Sequence, residues 1–294
     1  MRITNRMLHD RALANLGRNV EALARVQDQT ASMRRLLRPS DGPTDVRFAV
    51  KAADVNDAIR QYQANVAGAL RGVSAADAAL GSVGDLLQRT RELAIQGANG
   101  TLSPENRRHI ALEVEELTRQ VVVHSSARVG DQYLFSGFQT DTAPYAPPPA
   151  GTAVVGPYLG DAGELIARIG PGSQVAVNVS GDVVFGPALA ALAQLHGELV
   201  GGNAVSAGTI ALLDAGQNAV LTGRSVLGAR QNRLEVTAGA LDELLLASQA
   251  RLSELVDVDL TEAITELGQR EAVYRAAIEV NARVLQVSLI DRLQ

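Results

Sequence analysis

From Ile59 to Ala94 one apolar row recurs every seven residues without a phase break: Ile59, Val66, Val73, Leu80, Leu87 and Ala94. Tyr62, Ala69, Ala76, Val83 and Thr90 fill the second row. Such a seam holds one helix against another along its whole length, so it predicts a continuous helix of about 54 Å. Asn99-Gly100 marks its end. Ser103 as a cap and Pro104 at the first helical position restart the chain, and Ile110, Val114, Leu117 and Val121 form a shorter antiparallel return.

A second seam of this kind lies much later. Leu213, Val220, Leu227, Leu234, Leu241, Ser248 and Leu255 are seven apart, with Leu245 and Leu252 in the other row. Residues 13–37 carry a third seam, Leu16, Leu23, Thr30 and Leu37 beside Leu13, Val20, Gln27 and Arg34, apolar early and polar later. Asp257-Val258-Asp259 interrupts the pattern, and Asp259 with Glu262 reads as a fresh N-cap. The last helix sets Leu260, Leu267, Tyr274, Asn281 and Ser288 beside Ile264, Glu271, Ile278 and Leu285.

This nested order predicts a mostly α fold: a long antiparallel helical rod with coiled-coil terminal helices and a small β-rich insert. Residues 1–40 form an N-terminal coiled-coil helix pairing with residues 258–294. Residues 41–137 and 188–257 form the two parts of a helical rod domain, and residues 138–187 form a small β domain. In that insert Pro144, Pro147, Pro148, Pro149 and Pro157 interrupt regular structure. Leu165–Ile169 and Val175–Val179 read as short strands, and Gly181-Asp182 as a hairpin turn before a strand at Val183–Phe185.

Composition narrows the function. With 3% aromatic residues, no Trp and no Cys, the chain suits close packing of slender helices better than a ring-lined cleft, and offers neither thiol nucleophiles nor disulfides. A net charge of -5 gives a nucleic-acid partner little support. No apolar run approaches 18 residues, so no membrane insertion is expected. The first residues lack the apolar core of a cleaved signal peptide.

His9, His109, His124 and His196 share no metal-ligand spacing. Asp257 and Asp259 lack the loop pattern of a calcium site and read as caps. Gly156, Gly160 and Gly163 make no phosphate loop, and Ser136-Gly137 has no nucleophile-elbow context. Arg34, Arg35 and Arg38 read as a solvated helix face. No enzyme activity, cofactor or metal follows from any of these. The polar seam residues Gln27, Arg34, Glu271 and Asn281 predict terminal helices of low stability that order on assembly.

Several stretches resemble the flagellin superfamily. Met1-Arg2-Ile3-Thr4 is similar to that family's start. Arg38-Pro39-Ser40-Asp41-Gly42-Pro43 resembles its R-P-S-D-D-P loop, with Gly42 for the second Asp. Tyr133-Leu134-Phe135-Ser136-Gly137 resembles a Y-L-F-S-G segment ahead of a β domain. Gly228-Ala229-Arg230-Gln231-Asn232-Arg233-Leu234-Glu235 is similar to G-A-R-x-N-R-L-E, and Asn281-Ala282-Arg283 with Ser288-Leu289 extends the likeness to the end. The family's Ser/Thr-Gly before the loop is absent, so the first helix is expected to continue through Met33–Leu37. Val287 stands where relatives often have Pro.

The resemblance implies a structural subunit of the extracellular bacterial flagellum, at the junction between hook-associated protein 1 and the flagellin filament. It implies type III export without a cleaved signal peptide, an export chaperone on the C-terminal region, and a homo-oligomeric ring or helical layer. The assembly interface is then expected at Leu16, Val20, Leu23, Arg38, Pro39, Ser40 and Asp41 toward the N-terminus. Arg230, Asn232, Arg233 and Glu235 contribute from the second rod segment. Leu260, Ile264, Leu267, Glu271, Tyr274, Ile278, Asn281 and Leu285 contribute from the last helix. The alternatives are filament flagellin, and a secreted coiled-coil adhesin or effector that binds through residues 138–187.

Overall fold

The computed structural model describes residues 5–290. Helix α1 (Asn5–Ser32) is followed by a 3-10 turn (Pro39–Asp41), α2 (Pro43–Gly97) and α3 (Pro104–Ser125). Two antiparallel hairpins come next, β1 (Arg128–Val129) with β2 (Gln132–Tyr133), and β3 (Ile166–Gly170) with β4 (Ser173–Ala176). Helices α4 (Gly181–Val200), α5 (Ala207–Val256) and α6 (Leu260–Ile290) complete the chain. The fold is mostly helical, with long packed helices and two small hairpins, as the heptads predict.

The chain forms two compact units. One comprises Met1–Ala58 and Leu245–Gln294, the other Ile59–Leu244. In the second unit every residue of the row Ile59, Val66, Val73, Leu80, Leu87 and Ala94 is buried, as are Leu213, Val220, Leu227, Leu234 and Leu241. Burying such side chains contributes roughly 1.5–3 kcal/mol each. Polar rungs flank this core: Gln63 Nε2 donates to Asp242 at 2.6 Å, Arg224 Nε to Asp77 at 3.0 Å, and Arg91 Nε to Asp214 at 2.7 Å. Numbers rise along α2 as they fall along α5, so the helices are antiparallel. Gln63, Asp77 and Arg91 are fourteen residues apart, which puts them at one heptad position.

Ser103 caps α3 by accepting the Asn106 amide at 3.2 Å, with Pro104 at the first helical position as expected. Ile110, Val114, Leu117 and Val121 are all buried. Helix α3 packs on α4. Helix α4 is long and apolar enough to cross a membrane, yet Val184, Phe185, Ala188, Leu189, Leu192, Leu195 and Leu199 are buried in the protein core.

Two expectations fail, for local physical reasons. The strand at Val183–Phe185 is instead the first turn of α4, and Gly181-Asp182 is no hairpin turn. The run Val184, Phe185, Ala188, Leu189, Leu192 has helical rather than alternating spacing, and it places these side chains on the core face. The Gly181 amide donates to Phe135 O at 2.9 Å, so the helix start is docked on the Y-L-F-S-G segment. The hairpin lies earlier, where Gly172 at φ +71 turns β3 into β4.

The second failure concerns α1, which ends at Ser32 and does not run through Met33–Leu37. Met33 adopts φ +55 and Arg34 forms an antiparallel bridge with Asp257, so Arg34 belongs to no helical seam. The break at Asp257–Asp259 supplies the pairing: Arg35 N donates to Val256 O at 2.7 Å and Val258 N to Met33 O at 3.1 Å. Each interrupted helix end thereby satisfies backbone groups the other leaves open.

Candidate functional site

The terminal unit is built differently from the core. Helix α1 packs on α6. Leu16 and Leu23 are half-buried on one face of α1, and Val26 is the one buried apolar side chain among the described residues of that helix. On α6 the covered face runs through Ala263, Leu267, Tyr274, Ala277 and Asn281, at the 3–4 spacing of one helical stripe. The apolar arcs are wider than this contact. Leu13 and Val20 on α1 are 53% and 43% exposed, and Leu260, Ile264 and Ile278 on α6 are 43%, 60% and 44% exposed.

Of the expected interface residues, Leu16, Leu23, Leu267, Glu271, Tyr274 and Asn281 are therefore half-buried, while Val20, Leu260, Ile264 and Ile278 face solvent. Met1–Thr4 and the side chain of Leu285 lie outside the described residues. Among the polar seam residues, Gln27 is exposed and Glu271 pairs with Arg275 at 3.4 Å. Asp259 caps α6 as its sequence predicts, accepting the amides of Thr261 at 2.8 Å and Glu262 at 3.3 Å. Those donors hold its carboxyl below the usual range.

The Arg38–Pro43 loop is a compact turn. Asp41 accepts the amides of Leu37 at 3.2 Å and Arg38 at 2.8 Å, and the Asp41 amide donates back to Arg38 O at 3.0 Å. Pro43 then opens α2 and Arg35 pairs with Asp45 at 3.0 Å. Asp41 thus shapes the loop, whereas Arg38, Pro39 and Ser40 stand exposed on its rim.

In the second unit, the G-A-R-x-N-R-L-E stretch works largely inside the chain. Leu234 belongs to the buried seam. Arg230 Nη1 donates to Asn178 O at 2.6 Å and Arg233 Nη2 to Ser173 Oγ at 3.3 Å, which holds the β3–β4 hairpin on α5. Asn232 and Glu235 are exposed.

The Y-L-F-S-G segment, read in the sequence for its family resemblance and its lack of catalytic context, is a structural knot. Phe135 is buried edge-on to Phe185 with ring centroids 4.9 Å apart. Its carbonyl accepts from Tyr158 Oη at 2.7 Å, and Ser136 Oγ donates to Thr142 O at 2.7 Å. Gly137 holds φ +67, and Asp161 Oδ1 collects the amides of Phe138 and Gly163, both at 2.8 Å. The Ser136 hydroxyl is thus part of the knot.

A buried polar group that no sequence motif marks sits where α3 faces α4. Glu115 accepts the Gly151 amide at 2.8 Å and pairs with Arg119. Both donors, the Gly151 amide first, hold its carboxyl below the usual range. Burial pushes the nearby His196 down despite the field of Glu115. No motif marks this group, because its partners come from three separate segments.

Two family models match the chain: the bacterial flagellin N-terminal helical region over residues 3–140, and the bacterial flagellin C-terminal helical region over residues 210–293. Flagellar hook-associated protein 3 of Escherichia coli (strain K12) is 23% identical over 99% of both chains. A flagellar filament 30.7 kDa core protein of Treponema maltophilum is 25% identical over 91% of this chain and 90% of its own. The solved structure of a flagellar junction protein from Legionella pneumophila superposes with a TM-score of 0.58 at 18% identity, covering 71% of this chain and 99% of that one.

Proposed function

The chain belongs to the bacterial flagellin family, structural proteins of the extracellular flagellum rather than enzymes, and on that premise we propose that it is the subunit joining hook to filament. Its neighbours are hook-associated protein 1 on one side and flagellin on the other, and it assembles with copies of itself through α1 and α6. It leaves the cell through the type III export apparatus, escorted by a chaperone on its C-terminal region.

One observation carries the reading. The α2–α5 seam is closed in a single chain, whereas the terminal helices leave Val20, Leu260, Ile264 and Ile278 in water. Unpartnered apolar stripes of this kind mark an interaction surface. Covering such side chains with neighbouring subunits supplies the burial that the α1–α6 pair lacks, at roughly 25 cal/mol per Å². The exposed rim of Arg38, Pro39 and Ser40, and Asn232 with Glu235, are the polar groups proposed to set subunit register beside those stripes. Leu285 extends the α6 row in sequence.

The test replaces Val20 and Ile264 together by Asp in the full chain. The variant should be exported and keep the unfolding transition of the 59–244 unit, yet fail to join the flagellum, so that filament protein is released into the medium. A variant that still assembled would sink the proposal. Similarity to a filament core protein favours a second reading, filament flagellin itself. Deleting the gene separates the two, because loss of filament flagellin would leave a capped hook and release nothing.

A further inference from the structure

Asn99-Gly100, the only Asn-Gly pair in the chain, occupies the exposed turn between α2 and α3. Asn99 Oδ1 accepts the Thr101 amide at 3.1 Å and Thr101 Oγ1 at 2.9 Å. This Asx turn closes a hydrogen-bonded ring that contains the Gly100 nitrogen. Two donors on Oδ1 also polarise Cγ, and would stabilise the negative oxygen that forms when a nucleophile adds there. A Cβ at Gly100 would meet nothing within 4 Å, so no neighbouring side chain crowds the turn there. The Asn99 main-chain oxygen accepts from Arg107 Nη2 at 3.0 Å, and Arg107 itself is buried.

We propose that the α2–α3 turn is a site of spontaneous deamidation, in which Arg107 directs the product toward isoaspartate. The Gly100 nitrogen attacks Asn99 Cγ and loses its proton. The Cγ–Nδ2 bond breaks, and ammonia leaves with that proton. The resulting succinimide joins the Gly100 nitrogen to both carbonyl carbons of residue 99. Water then adds to one of them, and no electron donor or acceptor is needed. Addition at the former main-chain carbonyl, the one Arg107 polarises, breaks the bond to Gly100 there and frees an α-carboxylate beside the guanidinium. Addition at Cγ gives ordinary aspartate.

The same Arg107 donor that braces the turn thus stabilises both the oxyanion on that carbon and the charged product. The isoaspartate main chain is one methylene longer. It would no longer fit the Leu102 N to Asn99 O bond of 3.2 Å that shapes the start of α3.

The experiment incubates the full-length chain in mildly alkaline buffer, folded or unfolded in urea. Peptide mapping then reads the amide-to-acid mass gain at residue 99, and an isoaspartyl methyltransferase reports the isomer. The folded chain should deamidate at residue 99 at least as fast as the unfolded one, with a higher ratio of isoaspartate to aspartate. Asn99→Gln should abolish the product, and Arg107→Lys should return the ratio toward that of the unfolded chain. A folded chain that keeps its Asn99 amide while the unfolded chain loses it overturns the site. A ratio that is the same folded and unfolded overturns the part given to Arg107.

Discussion

The Arg35 amide donates to the Val256 carbonyl at 2.7 Å, joining the segment after α1 to the last residue of α5. The neighbouring bond, Val258 N to Met33 O at 3.1 Å, requires Met33 to hold φ +55, which L-residues adopt at a cost of about 1–2 kcal/mol. A β-branched residue tolerates that conformation least. Met33→Ile should therefore weaken this bridge by about 1 kcal/mol or more, and Met33→Asn, which visits the left-handed region readily, should not. Hydrogen exchange at the Arg35 and Val258 amides reads the difference, and equal protection in both variants would contradict it.

Arg107 is 7% exposed and has carbonyl partners at both helix-end turns: Gly97 O at 3.4 Å, Asn99 O at 3.0 Å and Gly202 O at 3.0 Å. Hydrogen bonds to a charged donor contribute about 1.5–3 kcal/mol each, and removing the donor leaves carbonyls without a partner. Arg107→Ala should cost about 3 kcal/mol, seen as a lower urea midpoint with an unchanged slope. Arg107→Lys reaches fewer acceptors than the planar fork and should fall between the two.

These cases separate what was legible in the sequence from what was not. Val73 and Val220 could be placed at a helix–helix seam because a seven-residue period is a local statistic that burial then obeys. The cap at Ser103 was legible for the same reason, since its partner is only three residues away. Val183–Phe185 misled because three apolar residues fit a strand or a helix equally well, and the deciding contact, Gly181 N to Phe135 O, spans 46 residues. The end of α1 misled because nothing within Met33–Leu37 breaks a helix. Its bridge partner, Asp257, lies more than two hundred residues away. In the terminal unit the heptad rows could name Leu16 and Ile264 alike as apolar, but only the packing of α1 on α6 distinguishes the half-buried one from the exposed one.

Acid should weaken the α3–α4 contact in two steps. Burial lowers the His196 pKa below its unfolded value of about 6.5, so the folded state resists the proton. Its share of stability is present above that pH and declines as pH falls toward the folded value. Glu115 is also depressed, by the Gly151 amide first and then by Arg119. Its share persists until pH drops through the unfolded value of about 4.3, and is lost as pH falls through the folded pKa. Unfolding midpoints measured from neutral to acid pH should fall in both windows. His196→Gln should remove the first decline and Glu115→Gln the second, whereas a profile unmoved by either substitution would contradict the assignment.

The Y-L-F-S-G knot should not tolerate a side chain at its glycine. Gly137 holds φ +67, and a Cβ there would lie 2.1 Å from Asp161 Oδ1 and 2.3 Å from its carbonyl oxygen. Asp161 cannot retreat cheaply, because its Oδ1 already holds the amides of Phe138 and Gly163 and its own amide donates to Ser136 O at 3.1 Å. Gly137→Ala therefore combines left-handed strain of about 1–2 kcal/mol with overpacking of about 1–3 kcal/mol. Gly130, also at positive φ but with nothing within 4 Å of its Cβ position, provides the matched control. Gly130→Ala should show the strain alone, so the gap between the two unfolding midpoints measures the contact with Asp161. Equal midpoints would mean the loop shifts to accept the methyl group.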